Sequence, residues 1–485
     1  MLRPALVRRA ARGPLMQQSS RAMSMTLAEK QQQRELDAAK LDDVLIVGGG
    51  IVGSALACSL KSNPLFKGKK VSIIETQPPR KVESEDLGLP DLRVYSITPA
   101  SKKLLEAAGV WSKMSDKHIA PFQDMQVWDA MGDGFVRFDA AKAGVKDQNL
   151  GFIIEHGVLQ RALMARMEEL AAQDGDEQPL RIHSPAVVRN FLKGNEVCRY
   201  STVHLEGGEE LRGRLVVAAD GGQSLVRTLA GLGTWGWSYD QQALVATIKT
   251  ETPHATAYQR FFPTGPLALL PLRDGYTSIV WSCTEDMADE LMAMNPEEFQ
   301  AALNDALFRP SAPPAIPDVP LLKDLLTGLH NAAQTVMAAG AMSDPFVAPP
   351  RVTEVVGKRF SFPLKLQHAT RYTRDCVALV GDSAHSMHPL AGQGLNMGLA
   401  DVASLSNLLA EGVKTGANIS APTFLQHYEN DRKAANVSMS LAMDGFKRLF
   451  GPTPDAVGAA RNLGMGALNA IEPVKTQIVR YAMGL

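Results

Sequence analysis

The sharpest constraint on this chain is DVLIVGGGIVG, where a short β-branched apolar run ends abruptly in glycine and a helix-periodic segment, SALACSLKS, takes over. A second apolar run, KKVSIIET, follows. Strand, glycine turn, helix and strand then fit within about 33 residues, the span of a βαβ unit. Gly48, Gly50 and Gly53 satisfy GxGxxG directly after the first strand. Gly48 permits the tight turn, Gly50 lets the backbone approach a pyrophosphate, and Gly53 lets the helix pack close to the sheet. The helix N-terminus then offers unpaired N–H groups and the positive end of its dipole to the phosphates. Glu75 closes the second strand, where a carboxylate takes both ribose hydroxyls and disfavours a 2′-phosphate. A dinucleotide site is expected, and this turn alone does not separate NAD from FAD.

A chain of 485 residues exceeds one small core, and ordinary domain sizes predict two or three domains or one large domain with an insertion. With 45% hydrophobic and 21% charged residues, its composition is globular rather than disordered or collagen-like. Fifty basic against 51 acidic residues leave a formal charge of −1, so no global field draws in nucleic acid. Cys58, Cys198, Cys283 and Cys376 are far apart and form no CxxC, which predicts buried thiols rather than a disulfide framework. No run of about 18 uncharged apolar residues occurs, so a conventional membrane-spanning helix is not expected. The first residues carry Arg3, Arg8, Arg9, Arg12 and Arg21 with no acid before Glu29. That is the composition of a mitochondrial import peptide, predicted over residues 1–35 together with a polar lead-in.

From about residue 243 to residue 284, ALVATIKT, AYQRFF, LALLPL and YTSIVWS read as short strands separated by Pro, Gly and Asp turn signals. An antiparallel sheet inside an otherwise α/β chain predicts a second layer or domain. From Pro296 to Pro350 the pattern turns helical and then Pro-rich, which predicts an insertion. His385 and His388 are spaced to share a metal but have no carboxylate or Cys beside them in a ligand pattern, so no metal is expected. No Ser-His-Asp triad or paired-carboxylate arrangement is readable, and no catalytic side chain is assigned.

A second constellation, CVALVGDSAHSMHPLAGQGLNMGLADVASLSNLLA, runs from a strand through Gly381-Asp382 and a polar loop to a Gly392-Gln393-Gly394 turn and a long apolar-periodic helix. Between the two lies LVVAADGGQSLVRTLAG, in which Asp220, Gly221, Ser224 and Arg227 fit DGxxSxxR. Together these segments resemble the motifs of the flavoprotein aromatic hydroxylases. The resemblance implies FAD. By it, Asp382 bonds a ribityl hydroxyl, the helix N-terminus after Gly392 points at the flavin pyrimidine, and Pro389, Gly394 and Asn396 belong to the same cofactor wall. Reduced flavin is negative at that edge, where a helix dipole stabilises it. The resemblance also places Asp220 beside the pyrophosphate, with Arg227 either there or anchoring the fold. It carries Arg93, in DLRVYSIT, to the flavin or its phosphates, a solvated surface arginine being the alternative, and Gln160, in GFIIEHGVLQRAL, to a position near the flavin.

QRFFPTGPLALLPL, YTSIVWS, MQVWD and HYENDRKAAN narrow the resemblance to the ubiquinone-biosynthesis branch of these hydroxylases, and within it to mitochondrial members that hydroxylate a polyprenylated 4-hydroxybenzoate ring. The fold implied is α/β: a Rossmann-type FAD-binding domain in two parts, 42–235 and 366–435. A β-sheet substrate domain with the Pro-rich insertion spans 236–365, and C-terminal helices span 436–485. The mechanism implied is reduction of FAD, reaction with O2 to a flavin hydroperoxide, and attack by the ring on the terminal oxygen, under a sheet bearing Phe261, Phe262, Leu267, Leu269 and Leu270. Ferredoxin and its reductase are the expected electron donor, and other ubiquinone-biosynthesis proteins and the matrix face of the inner membrane the expected contacts. Two alternatives stay open: a hydroxylase of the same fold acting on an unprenylated aromatic compound, and a non-redox escort protein.

Overall fold

Val44, Leu45, Ile46 and Val47 are buried, as a continuous apolar run must be when strands flank it on both sides and its faces are covered. In the computed structural model, which describes residues 41–78, 88–145, 147–173, 178–194, 199–311, 328, 344–387 and 392–484, the Leu41–Val47 strand pairs in parallel with Val71–Ile74 and with Glu210–Ala218. Arg181–His183 extends this sheet beyond Val71–Ile74, and Val377–Leu379 extends it beyond Glu210–Ala218. The chain leaves Leu41–Val47 toward one neighbour and returns much later to the other. That reversal of strand order opens a crevice at the strands' carboxyl ends, where open α/β sheets bind ligands. The import-type leader and lead-in, residues 1–35, lie outside the described residues.

Helix Ile51–Ser62 covers this sheet and packs against His156–Ala171 and Gln393–Thr415. The last contact is close: a Cβ added to Gly398 would stand 2.8 Å from the side chain of Val52. Glycines at positions 381 and 398 therefore let the two cofactor-side segments touch through Val52. A small sheet of Val94–Ile97, Gly151–Glu155 and Ile119–Phe122 stands beside them.

The expected second layer is an eight-stranded sheet, ordered His385–Ser386, Val352–Ala369, Thr234–Thr250, Tyr276–Thr284, Gly265–Pro271, Thr256–Phe262, Asp124–Asp129 and Phe135–Asp139. It is antiparallel except where Thr256–Phe262 meets Asp124–Asp129 in parallel. Its edge strands come from outside the 236–365 stretch: 124–139 arises within the first cofactor segment, and His385–Ser386 within the second. Hydrophobic alternation could not reveal this, because which strand lies next to which is a long-range choice.

One face of this sheet carries Leu267, Leu269, Ile279 and Trp281 against helices Glu285–Ala293 and Pro296–Phe308. The opposite face carries Leu270, Ala257 and Tyr276 against Val94 and Phe122 of the cofactor layer. Leu267 and Leu269, expected to roof the pocket, therefore face the covering helices, while Leu270 faces inward, since alternate residues of a strand point to opposite sides.

Of the C-terminal helices, Pro422–Phe450 packs against Gln393–Thr415 and Thr373–Arg374, Asp455–Ala470 lies along the sheet's edge strand Phe135–Asp139, and Glu472–Ala482 packs against Asp455–Ala470. They dock through polar groups: Arg461 donates to Asp129 at 2.7 Å, and both side chains are almost wholly buried. Asn462 accepts from Gly134 N–H, Asn469 accepts from Arg137 N–H, and Lys475 pairs with Asp344. Removing one partner of a buried pair strands the other charge. Arg461→Met is therefore expected to cost about 3–5 kcal/mol of stability, read as a lowered urea midpoint.

Candidate active site

Two glycine turns define the site, and each opens a helix that no side chain caps. Ile51–Ser62 starts at Gly50 and Gln393–Thr415 at Gly392; neither has a side-chain cap or an acid in its first turn. Helix starts ordinarily recruit Ser, Thr, Asp or Asn to satisfy their free N–H groups. Leaving two uncapped at one crevice leaves those donors for a ligand. Gly392 has φ +64°, which favours glycine, and a Cβ there would come within 3.0 Å of Ser96.

At the first turn the glycines differ in what surrounds them. A Cβ on Gly48 would lie 2.3 Å from the Ala219 carbonyl oxygen, and one on Gly53 would lie 2.0 Å from the carbonyl oxygen of Gly48. Around Gly50 there is nothing within 4 Å, as there is around Gly394 at the second turn. Gly48 and Gly53 are thus glycine for packing against the protein, and Gly50 borders open space. Glu75 accepts from Gly49 N–H and from Gln77 N–H, both at 2.7 Å. Each of its oxygens keeps a further lone pair for a ribose hydroxyl.

The close contact of Gly48 with Ala219 brings Asp220 to this turn. One Asp220 oxygen accepts from Val226 N–H at 3.1 Å, while the other is buried with no partner among the described residues. Gln160 donates to the Gly49 carbonyl at 3.0 Å, and its own amide oxygen is likewise buried and unpartnered. Two orphaned acceptors beside an uncapped helix are what a hydroxyl-bearing or hydrated phosphate ligand satisfies. Arg227 resolves toward the fold: buried, it donates to the Ser383 and Gly222 carbonyls, both at 2.8 Å, and so ties the DGxxSxxR segment to the Asp382 turn. Burial pulls its pKa below the ordinary guanidinium value.

Within 381–385, Asp382 alone is exposed. Asn396 spends its side chain on the protein, accepting from Thr98 N–H and Ser101 Oγ and donating to the Ser96 and Gly392 carbonyls. It fixes the second turn against the Val94–Ile97 strand. Pro389 and His388 lie outside the described residues. Arg93 stacks over Tyr95, 5.3 Å from the ring centre. Tyr95 bonds His156 at 3.0 Å, and burial, with Asp382 and Asp91 nearby, pushes its pKa up to about 12.

Tyr95 and Asp401 were missed in the sequence. Tyr95 carries no motif signal. Asp401 does: Met397, Asp401 and Leu405 fall at i, i+4 and i+8 on the buried stripe of one helix, an acid where the pattern demands an apolar residue. His385 pairs with this Asp401 at 2.6 Å, and no metal-holding group of His, Cys, Asp or Glu occurs among the described residues. Cys58, Cys283 and Cys376 are buried free thiols, and burial pushes Cys58 up to about 12 and Cys283 to about 11. Cys198 lies outside the described residues.

The paired uncapped helices, the Rossmann-type sheet and the second sheet across the crevice define an FAD-binding protein of the aromatic hydroxylase architecture. A family profile described as an FAD binding domain matches residues 42–323 and 337–440. A ubiquinone biosynthesis monooxygenase COQ6, mitochondrial, from Xenopus tropicalis is 36% identical over 446 residues, covering 91% of this chain and 93% of that protein. Its Homo sapiens counterpart is 34% identical over 91% of this chain and 92% of its own length. The ubiquinone hydroxylase UbiL of Rhodospirillum rubrum is 34% identical over 92% of this chain and 90% of its own. Among solved structures, p-nitrophenol 4-monooxygenase PnpA from Pseudomonas putida superposes with a TM-score of 0.65 at 18% identity, covering 90% of this chain and 96% of that one. PqsL, a probable FAD-dependent monooxygenase from Pseudomonas aeruginosa, gives 0.61 at 21% identity, covering 87% of this chain and 99% of its own. At those identities the likeness is one of fold. The chain belongs to the FAD-binding family and, within it, to the ubiquinone biosynthesis monooxygenases.

The two kinds of glycine predict opposite outcomes. Gly50→Ala is expected to leave the apoprotein's melting temperature within about 2 °C and to weaken FAD binding at least about tenfold, since its Cβ enters only ligand space. Gly53→Ala should lower the apoprotein melting temperature itself, because its Cβ collides with backbone.

Proposed function

We propose that the protein is an FAD-dependent monooxygenase that hydroxylates the aromatic ring of a polyprenylated 4-hydroxybenzoate in ubiquinone biosynthesis. One observation carries the placement of the chemistry. The loop that presents Asp382 continues to Met387, which packs with Tyr239, Ala243, Val280, Leu364 and Leu366 of the second sheet. Asp382 and the Gly392 helix would therefore hold a cofactor next to that sheet face. FAD, when bound and reduced, supplies the activation of O2, one oxygen atom going to the ring carbon and the other leaving as water.

The chain's own groups bind and shield. Glu75 takes the adenosine ribose, the Gly48–Gly53 turn with Asp220 and Gln160 surrounds the pyrophosphate, and Asp382 takes the ribityl chain. The free N–H groups after Gly392 would hold the flavin's negatively charged edge when it is reduced. The apolar cluster around Met387 keeps water from the reacting centre. A cleft of about 430 Å³, with Trp237, Gln241, Phe261, Pro266, Lys447 and Phe450 in its walls, opens at the end of the same sheet. Its aromatic and proline surface suits the isoprenoid part of the substrate.

Ferredoxin with its reductase is the proposed electron source, and other ubiquinone-biosynthesis proteins are proposed partners. The relatives' names are mitochondrial, which supports a mitochondrial site of action. Among the described residues no helix is long and apolar enough to cross a membrane. The protein is proposed to act peripherally, at the matrix face of the inner membrane where a polyprenylated substrate resides.

Turnover of prenylated and unprenylated hydroxybenzoates by the purified holoenzyme tests the substrate: prenylated substrate should give at least about tenfold higher kcat/KM, and equal values would overturn the assignment. Stopped-flow reduction of the flavin should be fast with NADPH, ferredoxin and reductase together and slow with NADPH alone. Equally fast reduction by NADPH alone would refute the ferredoxin route.

A further inference from the structure

Behind the Asp382 turn lies a buried polar network that direct cofactor contact leaves unexplained. At its centre is the carboxylate of Asp401, whose side chain is 0% exposed. Its Oδ2 accepts from Gly381 N–H at 3.0 Å and lies 2.6 Å from His385 Nε2. Its Oδ1 accepts from Arg432 Nε and from Asn436 Nδ2, both at 3.0 Å. Arg432 also donates to Asn436 at 2.9 Å, and Asn436 reaches the Tyr372 hydroxyl, which bonds His368 at 2.9 Å.

Gly381 and His385 are the two ends of the turn that carries Asp382. A single carboxylate oxygen takes both. The residues between are pinned from other directions: Ser383 Oγ donates to the Ala218 carbonyl at 2.6 Å, Arg227 donates to the Ser383 carbonyl, and Ala369 N–H donates to the Ala384 carbonyl at 2.7 Å. Everything in the turn is held inward except the Asp382 side chain.

We propose that Asp401 and His385 form a positioning pair for FAD, clamping both ends of the ribityl-binding turn so that the Asp382 carboxylate is presented in one orientation. The inference rests on the ribityl role of Asp382 proposed above. Packing alone does not call for a charge here, since burying a carboxylate is costly unless it is fully paired. Charge-assisted hydrogen bonds are shorter and stronger than neutral ones, which suits a group that must define an orientation rather than fill space. Burial raises the Asp401 pKa, but its pairing with His385, Arg432 and Asn436 outweighs this and holds the carboxyl below the ordinary value. It therefore stays ionised through the neutral range.

The test is FAD titration of the apoprotein, read by flavin fluorescence and by the visible absorption bands of the bound flavin, with circular dichroism confirming that each variant is folded. Asp401→Asn replaces an acceptor oxygen by a donor and cannot serve both oxygen pairs. His385→Leu removes the second end of the clamp, whereas His385→Gln keeps a donor at the Nε2 position. Expected are FAD dissociation constants raised about tenfold or more for Asp401→Asn and His385→Leu, and recovery to within about threefold of wild type for His385→Gln. If Asp401→Asn fails to fold, the two His385 variants decide. Folded His385→Leu binding FAD as wild type does would overturn the clamp and leave the network a merely structural one, as would Leu and Gln variants that weaken binding equally. Asp382→Ala, run in parallel, separates the premises: unchanged FAD affinity there overturns the ribityl assignment itself, while weakening by Asp382→Ala without weakening by His385→Leu rejects only the clamp.

Discussion

The Gly48 carbonyl oxygen occupies the space that a Cβ on Gly53 would need, and the rest of the structure follows from that contact. It sets how closely helix Ile51–Ser62 approaches the end of its own strand. Val52, on the first turn of that helix, then meets the Gly381 turn and Gly398, and the Ala219 carbonyl closes on Gly48 from the neighbouring strand. Segments from three distant parts of the chain are thereby brought to one crevice. Interiors pack at near-crystalline density, so such a contact has almost no freedom to relax.

The two sheets are not two beads on a string. The strands Asp124–Asp129 and Phe135–Asp139 leave the cofactor layer to form one edge of the second sheet, and His385–Ser386 leaves it again to form the other. His385 belongs both to that edge strand and to the Asp401 network, so the second sheet and the turn that carries Asp382 share a residue. Arg273, in the turn before Tyr276–Thr284, adds a second link: its Nε donates to Glu155 at 2.7 Å, directly ahead of the helix that bears Gln160. The C-terminal helices reverse the usual economy of a soluble helix. Arg461, Asn469 and Lys475 are buried against the sheet edge, while Ile471, Val474, Ile478 and Tyr481 are exposed.

The amino-acid sequence by itself determined a dinucleotide-type glycine turn and the elements around it, and the resemblance of its motifs to a family pointed that turn to FAD. Glycines 48, 50 and 53, Glu75, and the strand, turn and helix around Asp382 and Gly392 are local patterns, and local backbone geometry suffices to prescribe them. Family resemblance then extended those patterns to a fold and an activity. Tertiary structure alone decided which face of the second sheet looks inward, so that Leu270 faces the cofactor layer while Leu267 and Leu269 do not. It also decided that Arg227 and Asn396 spend their side chains on the protein, and that His385 pairs with Asp401. All but the His385–Asp401 pair, 16 residues apart, depend on partners more than a hundred residues away. The alternation of a strand or the stripe of a helix says that a residue is buried, but what it is buried against is fixed only when the layers close.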